Sequence, residues 1–392
     1  MSQLKEDLQQ DILVRRRKIQ SALRQNGADA CLIATTINLF YATGFVYNGY
    51  CYLSPEGEPL HFVKRPDGLP LENIVYIRKP EQIAEELQKR GFPLPQKLLL
   101  EIDALSYGEC LRLLSSLQVD APLNASVLMR KIRSVKTDFE LLQTRACFEA
   151  HREVYRQIPA LFERGMTDIE FQAEIERVMR LHGSMGFFHT YGNNMDIHMG
   201  SLLTGENAEI PSPFDFALGG QGTDPTLPLG AAGLKIEEGN TIMVDMAGNY
   251  RPWMTDMTRV YSVGKISGIA CKAHQVSIEI CDEMGEFARQ GVACSELYEK
   301  AMRIVKRNRL EAYFMGTRQQ AKFVGHGVGL EINEPPVLAP RSNELLEANV
   351  VFALEPKFVI PGVGAVGIEN TYAVTETGVE KITVFEENII EL

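Results

Sequence analysis

The chain has 392 residues, 45% of them hydrophobic and 23% charged, with a net charge of -11. That is the make-up of a soluble globular protein, long enough for two domains. The acidic balance excludes a broad nucleic-acid surface, which needs basic stripes to displace counterions. No apolar run reaches transmembrane length, and residues 1–20 lack an apolar segment followed by a small-residue cleavage site. The expectation is a cytoplasmic protein with neither a membrane nor a nucleic-acid partner. Its seven cysteines (Cys31, Cys51, Cys110, Cys147, Cys271, Cys281 and Cys294) are scattered and never spaced as CxxC, which suits reduced thiols.

In chain order, residues 6–26 carry Ile12, Leu13, Ile19 and Leu23 as an apolar helical stripe, with Gly27 as a stop. The segment ADACLIATTINLFYATGF reads as a buried strand running to a turn at Gly44. Strands follow at 50–53, 60–63, 74–77 and 97–101, and helices at 80–90 and 107–117, an alternation that points to an α/β layer domain over residues 1–130. No glycine fingerprint for a dinucleotide follows these strands. A basic stretch near 127–138 marks the boundary, and a helix over 137–161 opens a second domain, residues 137–392. Thr167 and Glu170 have capping-box spacing ahead of another helix. Residues 183–230 are rich in Gly, Pro and Asn and read as loops and strand ends around a cleft. Two helices, at 269–289 and 295–307, precede a return to strands from 321 onward.

The candidate chemistry centres on IMVDMAGNYRPWMTDMT, residues 242–258. Asp245 and Asp256 each lie at the end of a short strand-like run, joined by a turn region containing Gly248, Asn249 and Pro252, so that both carboxylates can converge. Like charges at close range repel unless a counter-charge such as a divalent metal holds both ionised. Three later segments offer more ligands. His326 sits between glycines in FVGHGVGLEINEPP, Glu355 ends an apolar run in VVFALEPKFVIPG, and Glu369 falls inside a strand pattern in GAVGIENTYAVTETG. Each glutamate taken singly reads equally as a ligand or an edge-of-strand acid. An acid at a position that alternation buries is costly unless paired or metal-bound.

The order Asp245, Asp256, His326, Glu355, Glu369, in these surroundings, resembles the pita-bread metallopeptidases of the prolidase and aminopeptidase P branch, over roughly residues 137–390. The segment DACLIATTINLFYATGF resembles the creatinase/prolidase N-terminal domain. The resemblance implies an α+β fold: a C-terminal pita-bread domain with a curved antiparallel sheet and flanking helices, preceded by a smaller α/β domain. It implies a hydrolase of peptide bonds, Xaa-Pro dipeptidase or aminopeptidase P-like, acting on short peptides as a homodimer whose N-terminal domain narrows the cleft. It further implies two divalent metal ions, for which the oxygen-rich ligand set with one imidazole suits Mn, Co, Fe or Zn. Asp245 would chelate one ion, Asp256 and Glu369 would bridge the pair, and His326 with Glu355 would complete the second. Glu355 would also accept the proton of the attacking water.

Three positions depart from the family pattern. Asn333, in INEPP, stands where a second histidine is expected, and is carried here as a catalytic candidate able to donate a hydrogen bond but not to shuttle a proton. Pro228 and Leu229 fall where an upstream histidine is expected, and Gly367 where an arginine precedes the last Glu. His189 and His198 are candidate substrate-binding residues or ordinary loop histidines. Trp253, also a candidate substrate-binding residue, and Tyr250 read as a pocket wall or as core. His182 suits a helix C-terminus, and Arg259 either pairs with a ligand carboxylate or caps a strand. The alternative functions are a pita-bread homologue with lost or altered peptidase activity, serving as a metal-binding interaction module, and a non-peptide C–N hydrolase of creatinase type.

Overall fold

A computed structural model describes residues 2–192 and 197–392, in two compact units that divide between Arg133 and Ser134. The first unit opens with α1 (Ser2–Asn26), which buries Ile12, Ile19 and Leu23. There follow β1 (Ala30–Ile33), α2 (Thr36–Thr43), β2 (Asn48–Leu53), β3 (Leu60–Arg65), β4 (Ile74–Tyr76), α3 (Gln82–Lys89), β5 (Leu98–Leu100), α4 (Tyr107–Leu117), β6 (Leu123–Asn124) and α5 (Ala125–Ser134). The strands form one mixed sheet in the order β4-β3-β2-β1-β5-β6.

The strand expected to run to Gly44 ends instead at Ile33, and α2 follows it. The Thr35 side chain caps the Asn38 N–H, and Gly44, in the left-handed region at φ 78°, closes the helix. The Glu101 carboxylate accepts from the Ala34 and Thr35 N–H groups and from the Thr35 hydroxyl, anchoring this helix start. An apolar run that looked like one strand is therefore two elements, divided by a capping threonine.

The second unit begins with α6 (Asp138–Gln157) and α7 (Asp168–Leu181), each opened by a complete capping box, Thr137 with Glu140 and Thr167 with Glu170. Next come β7 (Gly200–Thr204), β8 (Thr241–Met246) and β9 (Thr258–Ser262), then α8 (Gly268–Phe287) and α9 (Cys294–Asn308). The chain finishes with β10 (Gly325–Gly327), β11 (Glu334–Val337), β12 (Val351–Leu354), β13 (Lys357–Ile360), β14 (Gly364–Gly367), β15 (Asn370–Val374), β16 (Val379–Lys381) and β17 (Ile390–Glu391). One sheet has the order β17-β9-β8-β7, another β11-β10-β12-β15-β16, and β13 pairs with β14 as a hairpin. Apart from the parallel β17–β9 edge, these pairings are antiparallel.

Alternate residues of the central strands enter two different cores. From β12, Phe352 and Leu354 pack with the faces of α8 and α9 around Ile280, Met284 and Leu297. Val351 and Ala353 pack on the other side with α6 and α7, around Val154, Tyr155, Phe171 and Ile175. With both faces covered, strand ends in this unit are buried too, and any charged group placed there needs a partner.

Candidate metal centre

Each expected ligand sits at the end of a central strand or just beyond it. Asp245 is on β8, paired with Ser201 of β7 and Thr258 of β9, and Asp256 lies two residues before β9. The segment joining them closes through Gly248 and Thr255, whose N–H groups donate to each other's carbonyls at 2.7 and 3.1 Å. The Asp256 N–H donates to Thr371 Oγ1 at 2.8 Å, and that hydroxyl donates back to the Asp256 carbonyl at 2.8 Å. Glu369, between β14 and β15, donates its N–H to the Thr258 carbonyl at 3.2 Å and accepts the Thr258 hydroxyl on Oε2 at 2.7 Å. Arg259, almost fully buried, donates to the carbonyls of Thr258, Glu369 and Glu386, so it ties strand backbones together rather than pairing with a ligand carboxylate. His326 is on β10 opposite Ala353, where a Cβ at Gly325 would meet the Ala353 carbonyl at 2.1 Å. The glycine lets the two strands close up beside the imidazole.

These residues meet at the base of a cleft of about 590 Å³, open mouth included. His326 Nε2 is 3.3 Å from Glu355 Oε1 and 3.9 Å from both Asp256 Oδ2 and Glu369 Oε1. His326 Nδ1 lies 3.1 Å from the Gly327 carbonyl, which can only accept, so Nδ1 carries a proton and Nε2 faces the acids.

A sixth residue completes the cluster. Lys357, the first residue of β13 and 1% exposed, places Nζ 2.7 Å from Asp245 Oδ2, 2.8 Å from Glu355 Oε2 and 3.1 Å from Glu369 Oε2. Three ammonium hydrogens thus meet three carboxylates.

Proton affinities follow this arrangement. Burial and the nearby Asp245 charge push the Asp256 carboxyl up to about 7. Burial and Asp256 likewise push Glu369 well above the usual carboxylate range. Burial also opposes ionisation of Glu355, but Lys357 and His326 outweigh it and hold the carboxyl down at about 2. For the two bases the balance favours charge. Burial disfavours the imidazolium, yet the Glu355 hydrogen bond and charge, with Asp256 and Glu369, raise His326 to about 10. Burial disfavours the ammonium as well, and Asp245, Glu355 and Glu369 together hold Lys357 protonated far beyond neutral pH.

The residues fit a divalent cation. Ligand atoms of Asp256, His326 and Glu369 lie within 4.8 Å of one another. Glu369 Oε1, buried beside His326, has no hydrogen-bond partner, an orphan that a cation would satisfy.

Residues 143–376 match the model of metallopeptidase family M24, and residues 15–135 that of the creatinase/prolidase N-terminal domain. The chain belongs to metallopeptidase family M24. It is 25% identical to the Xaa-Pro dipeptidase of Pyrococcus horikoshii over 385 residues, covering 95% of this chain and 98% of that one. The Xaa-Pro dipeptidase of Pyrococcus furiosus is also 25% identical, over 96% of this chain and 99% of that one. Among solved structures, an Xaa-Pro dipeptidase from Bacillus anthracis superposes with a TM-score of 0.79 at 23% identity, covering 97% of this chain and all of that one. The X-Pro aminopeptidase of Thermotoga maritima superposes with a TM-score of 0.76 at 20% identity, covering 93% and 98%. The fold is the pita-bread α+β fold of these prolidases and aminopeptidases.

Within this M24 centre, the other sequence candidates are placed as follows. Asn333 lines the cleft, but its amide is engaged with the Tyr191 backbone, accepting from the N–H at 2.7 Å and donating to the carbonyl at 2.8 Å. These two bonds tie the Tyr191 loop to the cleft wall. The His189 backbone pairs with that of Glu331 and the His198 backbone with that of Phe187, on either side of the cleft-lining Phe188. Trp253 is buried against Phe139 and donates Nε1–H to Glu140 at 3.1 Å. His182 lies at the end of α7, with Nδ1 2.9 Å from the Val178 carbonyl. Leu229, at the expected upstream histidine, is an apolar wall of the cleft.

Sequence reasoning missed Lys357. The signal was present in VVFALEPKFVIPG, where a lysine stands two residues from Glu355 inside an otherwise apolar run. A strand puts such a pair on one face, and a buried lysine requires acids.

Proposed function

We propose that this M24 chain hydrolyses short peptides with an Xaa-Pro bond, as its relatives' names describe for those proteins, using a metal held by Asp256, His326 and Glu369. The single observation that carries this reading is the clustering of those three ligands, with the orphaned Glu369 Oε1, at the base of an open cleft. A divalent cation there supplies a Lewis acid that activates a water and polarises the scissile carbonyl. The chain's own residues supply the rest. Glu355, held ionised, is placed to take the proton of the attacking water on Oε1 and deliver it to the leaving amine. Lys357 holds Glu355 Oε2, which fixes the orientation of the carboxylate. Phe188, Phe216, Leu229, Phe323 and Ile332 line the cleft with apolar surface suited to a proline ring, which offers no N–H.

No helix among the described residues is long and apolar enough to cross a membrane. Six of the seven cysteines are buried and all are free, which supports a reducing compartment such as the cytoplasm. The homodimer implied by the sequence resemblance is part of this reading and is tested by light scattering. The function is tested by supplying the purified chain with Mn, Co, Fe or Zn and assaying Xaa-Pro dipeptides and tripeptides against proline-free controls. The expected result is cleavage of Xaa-Pro dipeptides that a chelator stops and added metal restores. Absence of turnover across the panel, with metal bound, contradicts it.

A further inference from the structure

We propose that Lys357 is a built-in second cation: its ammonium occupies one half of the acidic centre permanently, and the centre accepts one exchangeable divalent ion instead of two. The inference rests on the metal dependence proposed above and revises the two-ion expectation. Lys357 Nζ sits within 3.1 Å of Asp245, Glu355 and Glu369, spending one oxygen of each. Those are three of the four carboxylates that two ions would share. Glu369 still bridges, but between unlike partners: Oε2 meets the ammonium and the Thr258 hydroxyl, while Oε1 remains for an ion beside Asp256 and His326.

The backbone builds this arrangement in. Lys357 pairs with Gly367 across the β13–β14 hairpin. A Cβ at Gly367, in the left-handed region at φ 127°, would lie 2.6 Å from the Pro356 carbonyl and 3.0 Å from Lys357 Cα. The missing side chain at 367, where a cationic arginine was expected, is what lets the Lys357 strand approach. Seating a second ion among the same oxygens requires metal–oxygen distances of about 2.0–2.2 Å and expulsion of the ammonium into an interior that has to carry its charge unpaired. All three of its protons are committed, so Lys357 is a positioning residue: it sets the charge and holds the carboxylates.

The test is metal stoichiometry on the full chain, stripped with chelator and titrated with Mn²⁺ by calorimetry and electron paramagnetic resonance. The wild type is expected to take one equivalent and give an uncoupled six-line signal. Lys357→Gly, which opens the volume and keeps all four acids, is expected to take two and give an exchange-coupled signal, whereas Lys357→Arg keeps one. Two coupled equivalents in the wild type, or one equivalent in a folded Lys357→Gly, overturn the proposal and leave the peptidase reading standing. No bound ion in the wild type overturns both. Should Lys357→Gly fail to fold, the wild-type stoichiometry and spectrum decide by themselves.

Discussion

His151, on α6, lies beneath the segment joining Asp245 to Asp256, with Nδ1 3.0 Å from Thr255 Oγ1. It is fully buried, and burial pushes its pKa from 6.5 down to about 3. The folded chain therefore keeps it neutral at pH values where the unfolded chain protonates it. Its contribution is intact above 6.5, is lost progressively as the pH falls from 6.5 towards 3, and changes no further below that. Between pH 7 and pH 5 the unfolded state gains about three-quarters of a proton at this residue, which lowers stability by about 2 kcal/mol over the interval. His61 and His274 are depressed to about 4 by burial and add to the same acid limb, so the comparison must isolate one residue. His151→Asn keeps a polar atom near Thr255 and cannot take up the proton. Urea unfolding at pH 7 and pH 5 should show the wild type losing about 2 kcal/mol more than the variant over that interval. Equal losses in the two proteins refute the assignment of a buried neutral imidazole.

Two further outcomes follow from buried charge. Lys136 and Glu334 form an ion pair at 2.8 Å with both side chains sealed from solvent, and Glu334 also accepts from the Leu330 N–H. Glu334→Gln is expected to cost about 3–5 kcal/mol by leaving the ammonium unpaired, read as a lower urea midpoint; a change below about 1 kcal/mol contradicts the pairing. Glu355→Gln keeps the shape of the side chain and removes the proton acceptor. Its kcat should fall by about 10²–10⁴-fold with the number of bound ions unchanged, since Glu355 faces Lys357 and His326 rather than the ion. Loss of the ion in that variant reassigns Glu355 as a ligand.

The acids and the histidine stood out through their order along the chain and the resemblance it carries; the cost of burying a charge pointed to Glu355 and Glu369 but left each open between ligand and edge acid. Helix starts were legible wherever capping chemistry is local, as at Thr167 and Glu170. The segment after Ile33 was misjudged because its apolar residues serve a short helix as well as a strand, and Thr35 separates the two. The parts of Asn333 and Trp253 depend on Tyr191 and Glu140, far away in sequence, and no local pattern announces such partners. Lys357 is the instructive case. Its spacing from Glu355 was visible, but its meaning needed Asp245 and Glu369 brought to the same point by strands 112 and 12 residues away.

The most direct test of the metal centre is a crystal structure of the Mn²⁺-loaded chain with anomalous scattering at the manganese edge. The account predicts one anomalous peak, coordinated by Asp256, His326 and Glu369, with Lys357 Nζ still seated among Asp245, Glu355 and Glu369. Two peaks with Lys357 displaced, or one peak held by Asp245 in place of His326, contradict it.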